Sequence, residues 1–150
     1  MTVRLQGFSE LEKKLKDLSK AAGKGTLRKS LKSAAEPIAK AAAANAVRKS
    51  GELQDSFAVS TQLSKRQRSK HRKIVRDDKA SVEVFVGAGP ISQAHLEEFG
   101  SMHNAPRPML RPAWDAGRDQ LLVDLGDNLM TEIDKAIGRA VRKAAKLARG

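Results

Sequence analysis

Residues 95–114 read HLEEFGSMHNAPRPMLRPAW and contain three prolines that alternate with two arginines. Because proline fixes φ and lacks a backbone N–H, residues 105–112 are predicted to form an extended, semi-rigid strap. Pro112 suits the first turn of a helix, where its missing N–H would have no partner. Upstream, the pattern predicts a short helix at 91–99 that ends at Gly100, a residue type that tolerates positive φ.

The sequence that follows the strap predicts a long amphipathic helix from about Pro112 to Leu147. Its apolar residues step by three and four along one face. They are Leu122, Leu125, Leu129, Ile133, Ile137, Ala140, Ala144 and Ala148. A basic stripe follows the opposite face at the same steps. It consists of Lys135, Arg139, Arg142, Lys146 and Arg149.

Two helices are expected in the N-terminal third, where apolar residues again recur at steps of three and four. The first spans about 8–22 and is expected to end near Gly23 and Gly25. Thr26 is then expected to cap the second helix. Pro37 lies inside that second run and should kink or divide it.

After Gly51 the pattern changes from helical to alternating. Residues 57–63 and 82–86 alternate apolar and polar side chains, which predicts two antiparallel strands. A basic hairpin loop at about 64–81 joins them. Gly51 itself is expected to be the C-cap of the second helix. The predicted fold class is therefore α+β, with a small antiparallel β-sheet packed against a kinked N-terminal helix pair and a long C-terminal amphipathic helix, in a single domain over 1–150.

Composition limits the possible functions. The chain has 29 Lys and Arg against 17 Asp and Glu, a formal net charge of +12. Such an excess favours a polyanionic partner, most often nucleic acid. The absence of cysteine excludes disulfides, thiolate metal sites and cysteine nucleophiles. With 3% aromatic residues the core is small, so contacts in an oligomer are expected to supply part of the burial.

No apolar run approaches the roughly 20 residues that a membrane span requires. The first residues also lack the apolar core of a signal peptide. We therefore expect a protein made in a reducing cytoplasm, soluble there, with no membrane partner.

The connection between the predicted strands is strongly basic, since residues 65–79 hold eight Lys and Arg and two Asp. Such charge density is typical of a solvated, flexible hairpin tip. The alternative is an arm that contacts DNA phosphates without sequence preference, or an acidic partner. Base stacking is not expected, because the loop has no aromatic residue. The basic residues concerned are Lys65, Arg66, Arg68, Lys70, Arg72, Lys73 and Arg76. The basic stripe of the last helix has the same alternatives, an ordinary solvent face or a DNA-facing surface.

One cluster has the residue types of a metal site. His95 and Glu98 are one helical turn apart, and His103 could approach from the loop that follows. The sequence favours a different role for Glu98, a charge-assisted pair with Arg107 or Arg111 that buttresses the strap. The serines lack the elbow motif of hydrolases, and no phosphate-binding glycine loop is present. We therefore predict no catalytic residue, metal, cofactor or enzymatic activity.

Three blocks together resemble a known family. They are AVRKSGELQDSF at 46–57, EFGS at 98–101 and APRPMLRPA at 105–113. In this order and spacing they resemble the neck or tail-completion family, small head–tail connector proteins of long-tailed bacteriophages. The resemblance implies a virion protein, assembled in the host cytoplasm, whose copies form a ring around the DNA exit channel and join the connector to the tail.

The resemblance also implies that the strap is an interface between proteins. The expected subunit or partner contacts are Phe99, Gly100, Arg107, Pro108, Arg111, Pro112 and Trp114. The implied partners are further copies of the chain, the head-closure connector, the tail terminator, and double-stranded DNA through its backbone. The alternative is a free, sequence-independent protein that binds double-stranded DNA with the same charge outside any virion.

Overall fold

The computed structural model describes residues 13, 16, 20–47, 51–75 and 81–150. The predicted α+β class is confirmed, with a two-stranded antiparallel sheet and a long C-terminal helix. In chain order the elements are α1 (Lys20–Asn45), α2 (Glu52–Asp55), β1 (Ala58–Ser60), α3 (Lys65–Ile74), β2 (Phe85–Gly87), α4 (Ala94–Phe99) and α5 (Leu110–Ala148). No helix within these described ranges is long and apolar enough to cross a membrane.

Helix α1 continues through the positions at which a break was predicted. Gly23 and Gly25 lie inside it, so the expected helix end at these glycines is wrong. Thr26 is buried within the helix and does not cap a second one. A glycine inside a helix costs only about 1 kcal/mol relative to alanine. The helix continues past both glycines, and its side chains Thr26 and Ser30, one turn apart, are buried. Most of the predicted first helix lies outside the described residues.

Pro37 does not divide α1, which runs on to Asn45. The Pro37 ring is exposed, so it lies on the outer face of the helix. Gly51 is not the C-cap of this helix, because the helix ends six residues earlier. Gly51 instead precedes the short helix α2 and has a φ of 84°.

The predicted strand pair is present but short. Val59 pairs with Val86 in the centre of the antiparallel ladder. Each strand has three residues, whereas the alternation predicted longer runs. Ser60 explains why β1 ends: its hydroxyl accepts a hydrogen bond from the Gln62 N–H at 3.0 Å. Such local bonds compete with the ladder for backbone donors.

The chain forms two compact units, one from the described residues of Met1–Ala34 with Gln120–Gly150 and one from those of Ala35–Asp119. In the first unit, Leu129 and Ile133 of α5 form a buried cluster. Leu27 of α1 packs against that cluster. The predicted single domain stays a prediction.

The predicted apolar face of α5, which starts at Leu122, is covered only in part. Leu129, Ile133 and Ala136 are buried, whereas Leu122 is 41% exposed and Leu147 is 74% exposed. The alanines that continue the predicted apolar face toward the C-terminus are also exposed. The final turns of α5 therefore bury little against the rest of the chain that the structure describes.

In the second unit, Ile38 and Ala42 of α1 are buried, as are Met109 and Ala113. A Cβ placed on Gly117 would lie 2.8 Å from Ile38 Cγ1, so the two helices approach closely at this point. This small-residue contact holds the beginning of α5 in the unit that carries the sheet and the strap.

Candidate partner interface and basic helix

Helix α4 ends where the sequence predicts, at Gly100. The Gly100 N–H donates to the Leu96 carbonyl at 2.8 Å, and the φ of Gly100 is 80°. A Cβ at this position would lie 3.0 Å from the Asn104 carbonyl oxygen and 3.0 Å from Pro106 Cδ. Glycine is therefore required at position 100 for two reasons, the positive φ and the close approach of the strap.

Backbone hydrogen bonds turn the chain back along α4 after Gly100. The Ser101 N–H donates to the Asn104 carbonyl at 2.9 Å, and the Ser101 hydroxyl accepts the Asn104 N–H at 3.2 Å. Beyond this turn, the Arg107 N–H donates to the Glu97 carbonyl at 2.7 Å. The strap is thus tied to α4 through its own main chain, but the prediction of an extended strap over 105–112 is wrong for residues 110–112, which already belong to α5.

Glu98 links the end of α4 to the start of α5. Its Oε2 accepts the N–H groups of Met109 at 2.7 Å and Leu110 at 2.9 Å, and its Oε1 accepts that of Arg111 at 3.1 Å. The first N–H groups of a helix lack intrahelical partners, so a carboxylate there satisfies them and interacts favourably with the helix dipole.

The predicted ion pair of Glu98 with an arginine side chain is therefore corrected. The carboxylate binds the helix backbone because the strap brings three free N–H donors to it. Partial burial by itself would raise the pKa of Glu98, but the three N–H donors and the nearby charge of Arg111 outweigh it and lower the pKa. Asn45 adds a further tie, since its Nδ2 donates to the Met109 carbonyl at 3.1 Å.

The metal-site alternative is not supported by the geometry. Within the described ranges no group of three His, Asp or Glu side chains lies close enough to hold a metal ion. Both His95 and His103 are exposed. The Glu98 carboxylate is engaged by three backbone donors.

Three of the predicted interface residues, Phe99, Arg111 and Trp114, line one open groove of about 420 Å³. Phe99 is 67% exposed and Trp114 is 48% exposed. The Arg111 guanidinium carbon lies 5.9 Å from the centre of the Phe99 ring, within the range of a cation–π contact. Val84, Val86 and Leu110 complete the apolar lining. We call this surface the aromatic groove.

The other predicted interface residues have different positions. Arg107 lines a smaller concavity of about 150 Å³ with Leu96 and Asn104. Pro108 and Pro112 are exposed, and Gly100 shapes the turn. The two valines that line the aromatic groove are not among the predicted interface residues. Their alternation with Glu83 and Phe85 was a strand signal that could have identified them.

Residues 65–74 are helical, so the expected flexible hairpin tip is wrong for this part of the loop. Ser64 and Gln67 form a capping box: the Ser64 hydroxyl accepts the Gln67 N–H at 3.3 Å, and Gln67 Oε1 accepts the Ser64 N–H at 3.2 Å. Bases in the last turn also suit the negative end of the helix dipole. The Ser-x-x-Gln pattern is a helix-start signal in the sequence, whereas the high positive charge of the same segment favours a flexible loop.

His71 attaches α3 to the sheet. Its ring meets the Phe85 ring edge to face at a centroid distance of 5.4 Å, and its Nε2 lies 3.3 Å from Glu83 Oε1. A concavity of about 360 Å³ opens beside this contact and is lined in part by Arg68 and Arg72. The helix is therefore held on one side by Phe85 of β2 and by Glu83.

The charged side chains of α3 face solvent. All six of its Lys and Arg residues are exposed. None of them forms an ion pair with any residue that the structure describes. The predicted DNA-facing members within the helix are Lys65, Arg66, Arg68, Lys70, Arg72 and Lys73, while Arg76 lies outside the described residues.

The C-terminal basic stripe is exposed but partly compensated. Lys135 Nζ lies 3.2 Å from Glu132 Oε1, and Arg142 Nε donates to the Gly138 carbonyl at 3.1 Å. Arg139, Lys146 and Arg149 are exposed. Among the described residues, Lys135 is the one member of the stripe that pairs with a carboxylate, and both alternatives for this face stay predictions.

A comparison with protein families identifies a matching family. The family model described as "Bacteriophage HK97-gp10, putative tail-component" matches residues 9–100. No curated protein and no solved structure matches the chain. The matched range contains the sheet, α3 and Glu98, and it ends at Gly100, just before the strap.

Proposed function

Because this chain belongs to the HK97-gp10-like family of bacteriophage tail components, we propose that it works at the head–tail junction as a neck or tail-completion protein. In this role identical copies surround the DNA exit channel and join the head-closure connector to the tail terminator. The function is structural, in the virion, and requires no catalytic residue or cofactor. The family supports a structural tail role, and the surface of the second unit supports the specific assembly role.

The aromatic groove is the observation that carries the proposal. The whole chain has four Phe and one Trp, and two of these five side chains, Phe99 and Trp114, are exposed in this one groove. Aromatic side chains are enriched at protein interfaces, where they anchor the buried centre. Contiguous exposed apolar surface on a soluble chain commonly marks a binding site.

The groove is also preorganised. Glu98 fixes the start of α5, which carries Leu110, Arg111 and Trp114, to the end of α4, which carries Phe99. A surface that is already ordered loses less conformational entropy when it binds. The strap can therefore present its side chains to a neighbouring subunit without rearrangement.

Arg107 and Arg111 are suited to recognise carboxylates on a neighbour. Their backbone N–H groups are used within the fold, at Glu97 and Glu98, whereas their side chains are exposed. A guanidinium presents a planar fork of donors that matches a carboxylate. Replacing both side chains with alanine leaves the backbone hydrogen bonds intact, so the variant can fold.

The test is assembly of phage particles with the double variant Arg107→Ala and Arg111→Ala. We expect a folded protein, judged by circular dichroism, and an accumulation of unjoined heads and tails. The matched control is Arg28→Ala with Arg118→Ala, which removes the same charge from exposed positions outside the strap. Normally infectious particles from the strap variant would exclude the strap as the interface.

The alternative of a free protein that binds double-stranded DNA is favoured by the net charge of +12 and by the exposed bases of α3. Imaging of the particle neck separates the two functions. Density for this chain around the exit channel supports the structural role. Particles that lack the chain, together with tight duplex binding by the purified monomer, would support the alternative.

A further inference from the structure

We propose that α3 binds the phosphate backbone of duplex DNA, without sequence preference, through its outward row of bases. The inference names a partner for one surface of the chain, and it rests on the proposed function for its biological setting, the DNA exit channel. Its physical basis lies in the helix itself and can be measured on the purified protein.

Within the described residues, no carboxylate forms an ion pair with a Lys or Arg of α3. Six of its ten residues are Lys or Arg, and none is acidic. Arg66 and Lys70 are four residues apart, as are Arg68 and Arg72, and like charges at this spacing destabilise a helix. A polyanion on this surface would remove the repulsion, so α3 is better suited to a bound state than to isolation.

The docking of α3 on the sheet decides which bases face outward. His71 faces the strand pair through its contact with Phe85. At about 100° per residue, Arg66, Lys70 and Lys73 fall within roughly 60° of one another on the side away from His71. We call these three residues the outer row.

The outer row matches a phosphate backbone in spacing. With a rise of about 1.5 Å per residue, Arg66 and Lys73 are separated by about 10 Å along the helix axis. Duplex DNA carries one negative charge per roughly 1.7 Å of its axis. The three side chains can therefore reach separate phosphates while the helix lies against the duplex.

The surface fits a duplex better than an acidic protein or a single strand. Protein interfaces are depleted in lysine and centred on aromatic anchors, and α3 offers no aromatic residue besides the inward-facing His71. Binding of single strands relies on aromatic side chains that stack on bases, which α3 also lacks. Of the three partners considered, the backbone of double-stranded DNA therefore fits this surface best.

The experiment compares the triple variant Arg66→Gln, Lys70→Gln, Lys73→Gln with the control Arg28→Gln, Lys32→Gln, Lys40→Gln. Both remove three exposed positive charges from a helix, and glutamine keeps a similar helix propensity. Binding to a duplex of random sequence is measured by fluorescence anisotropy across a salt series. Circular dichroism verifies that both variants are folded.

For the outer-row variant we expect the slope of log K against log salt to become shallower by about 2.7, since each neutralised phosphate contributes about 0.9. The control should keep the slope of the unmodified chain. Equal slopes for the two variants would overturn the proposal, and so would polyglutamate that competes as well as duplex DNA, because an acidic protein would then be the better partner. The two proposals fail separately. Normal particle joining by the strap variant, with a shallower slope for the outer-row variant, would contradict the proposed function alone. Failed joining with equal slopes would contradict this inference alone.

Discussion

Glu98 Oε2 lies 2.7 Å from the backbone nitrogen of Met109, eleven residues further along the chain. The carboxylate belongs to the last turn of α4, and the nitrogen lies just before the first residue of α5. This hydrogen bond and its two neighbours close a loop that contains the extended part of the strap. The same side chain therefore caps a long helix and positions the proposed interface.

Loss of the Glu98 carboxylate should destabilise the chain. Glu98→Ala leaves three N–H groups at the start of α5 without their acceptor, and we expect a loss of about 2 kcal/mol in the free energy of unfolding. Urea denaturation measures it. The control is Glu97→Ala, because the Glu97 side chain makes no hydrogen bond within the described part of the chain. Equal losses for the two variants would contradict the capping role.

The Glu98 cap should also be sensitive to acid. Because the pKa of Glu98 is lower in the folded chain than its ordinary value of 4.5, the carboxylate stabilises the fold fully above that value. The stabilisation is lost as the pH falls through the lowered pKa, where the folded state takes up the proton. The difference in unfolding free energy between the unmodified chain and Glu98→Gln should therefore shrink on acidification from pH 6 to below about pH 4. A constant difference across this range would show that the charge of Glu98 is irrelevant.

The sequence was informative wherever one residue type has a single strong conformational preference. The rigid backbone at the prolines of the strap and the positive φ of Gly100 were predictable. Local sterics alone fix φ at proline and allow a positive φ at glycine. The partner of Glu98 was not. A carboxylate near two arginines favours an ion pair on sequence grounds, and only the return of the strap brings the helix N–H groups to it.

Tertiary packing and local capping account for the two main errors. Gly23 and Gly25 looked like a helix end, yet α1 continues through them, and Thr26 and Ser30 are buried in its next turns. The charge of the basic loop predicts a flexible segment, yet residues 65–74 form a helix. The Ser64–Gln67 capping box lies at its start, and His71 contacts Phe85 from within it. Net charge describes a segment as a whole, whereas these contacts depend on individual residues.

Gly100 should tolerate alanine less well than Gly51. Both have a left-handed backbone, with φ of 80° and 84°, so alanine is strained by about 1–2 kcal/mol at either position. Only at Gly100 would the new Cβ also meet the strap, at 3.0 Å from Pro106. Gly100→Ala should therefore lower the unfolding free energy by at least about 1 kcal/mol more than Gly51→Ala, measured by urea denaturation. Equal effects would mean that the strap yields freely and does not hold a fixed position against α4.

Two glycines within the long helices should respond to alanine with opposite signs. Gly25 lies inside α1, and apart from the local helix backbone a Cβ added there would meet no atom of the described residues within 4 Å. Gly25→Ala should therefore stabilise the chain by about 0.5–1 kcal/mol through helix propensity. At Gly117 the same change gains the same propensity, but its Cβ would lie 2.8 Å from Ile38 Cγ1. Overpacking of this kind costs about 1–3 kcal/mol, so Gly117→Ala should destabilise. Thermal and urea unfolding of both variants measure whether each substitution raises or lowers the free energy of unfolding. A destabilising Gly25→Ala would restore the predicted helix end near Gly25, since alanine is unfavourable only where the backbone leaves the helix.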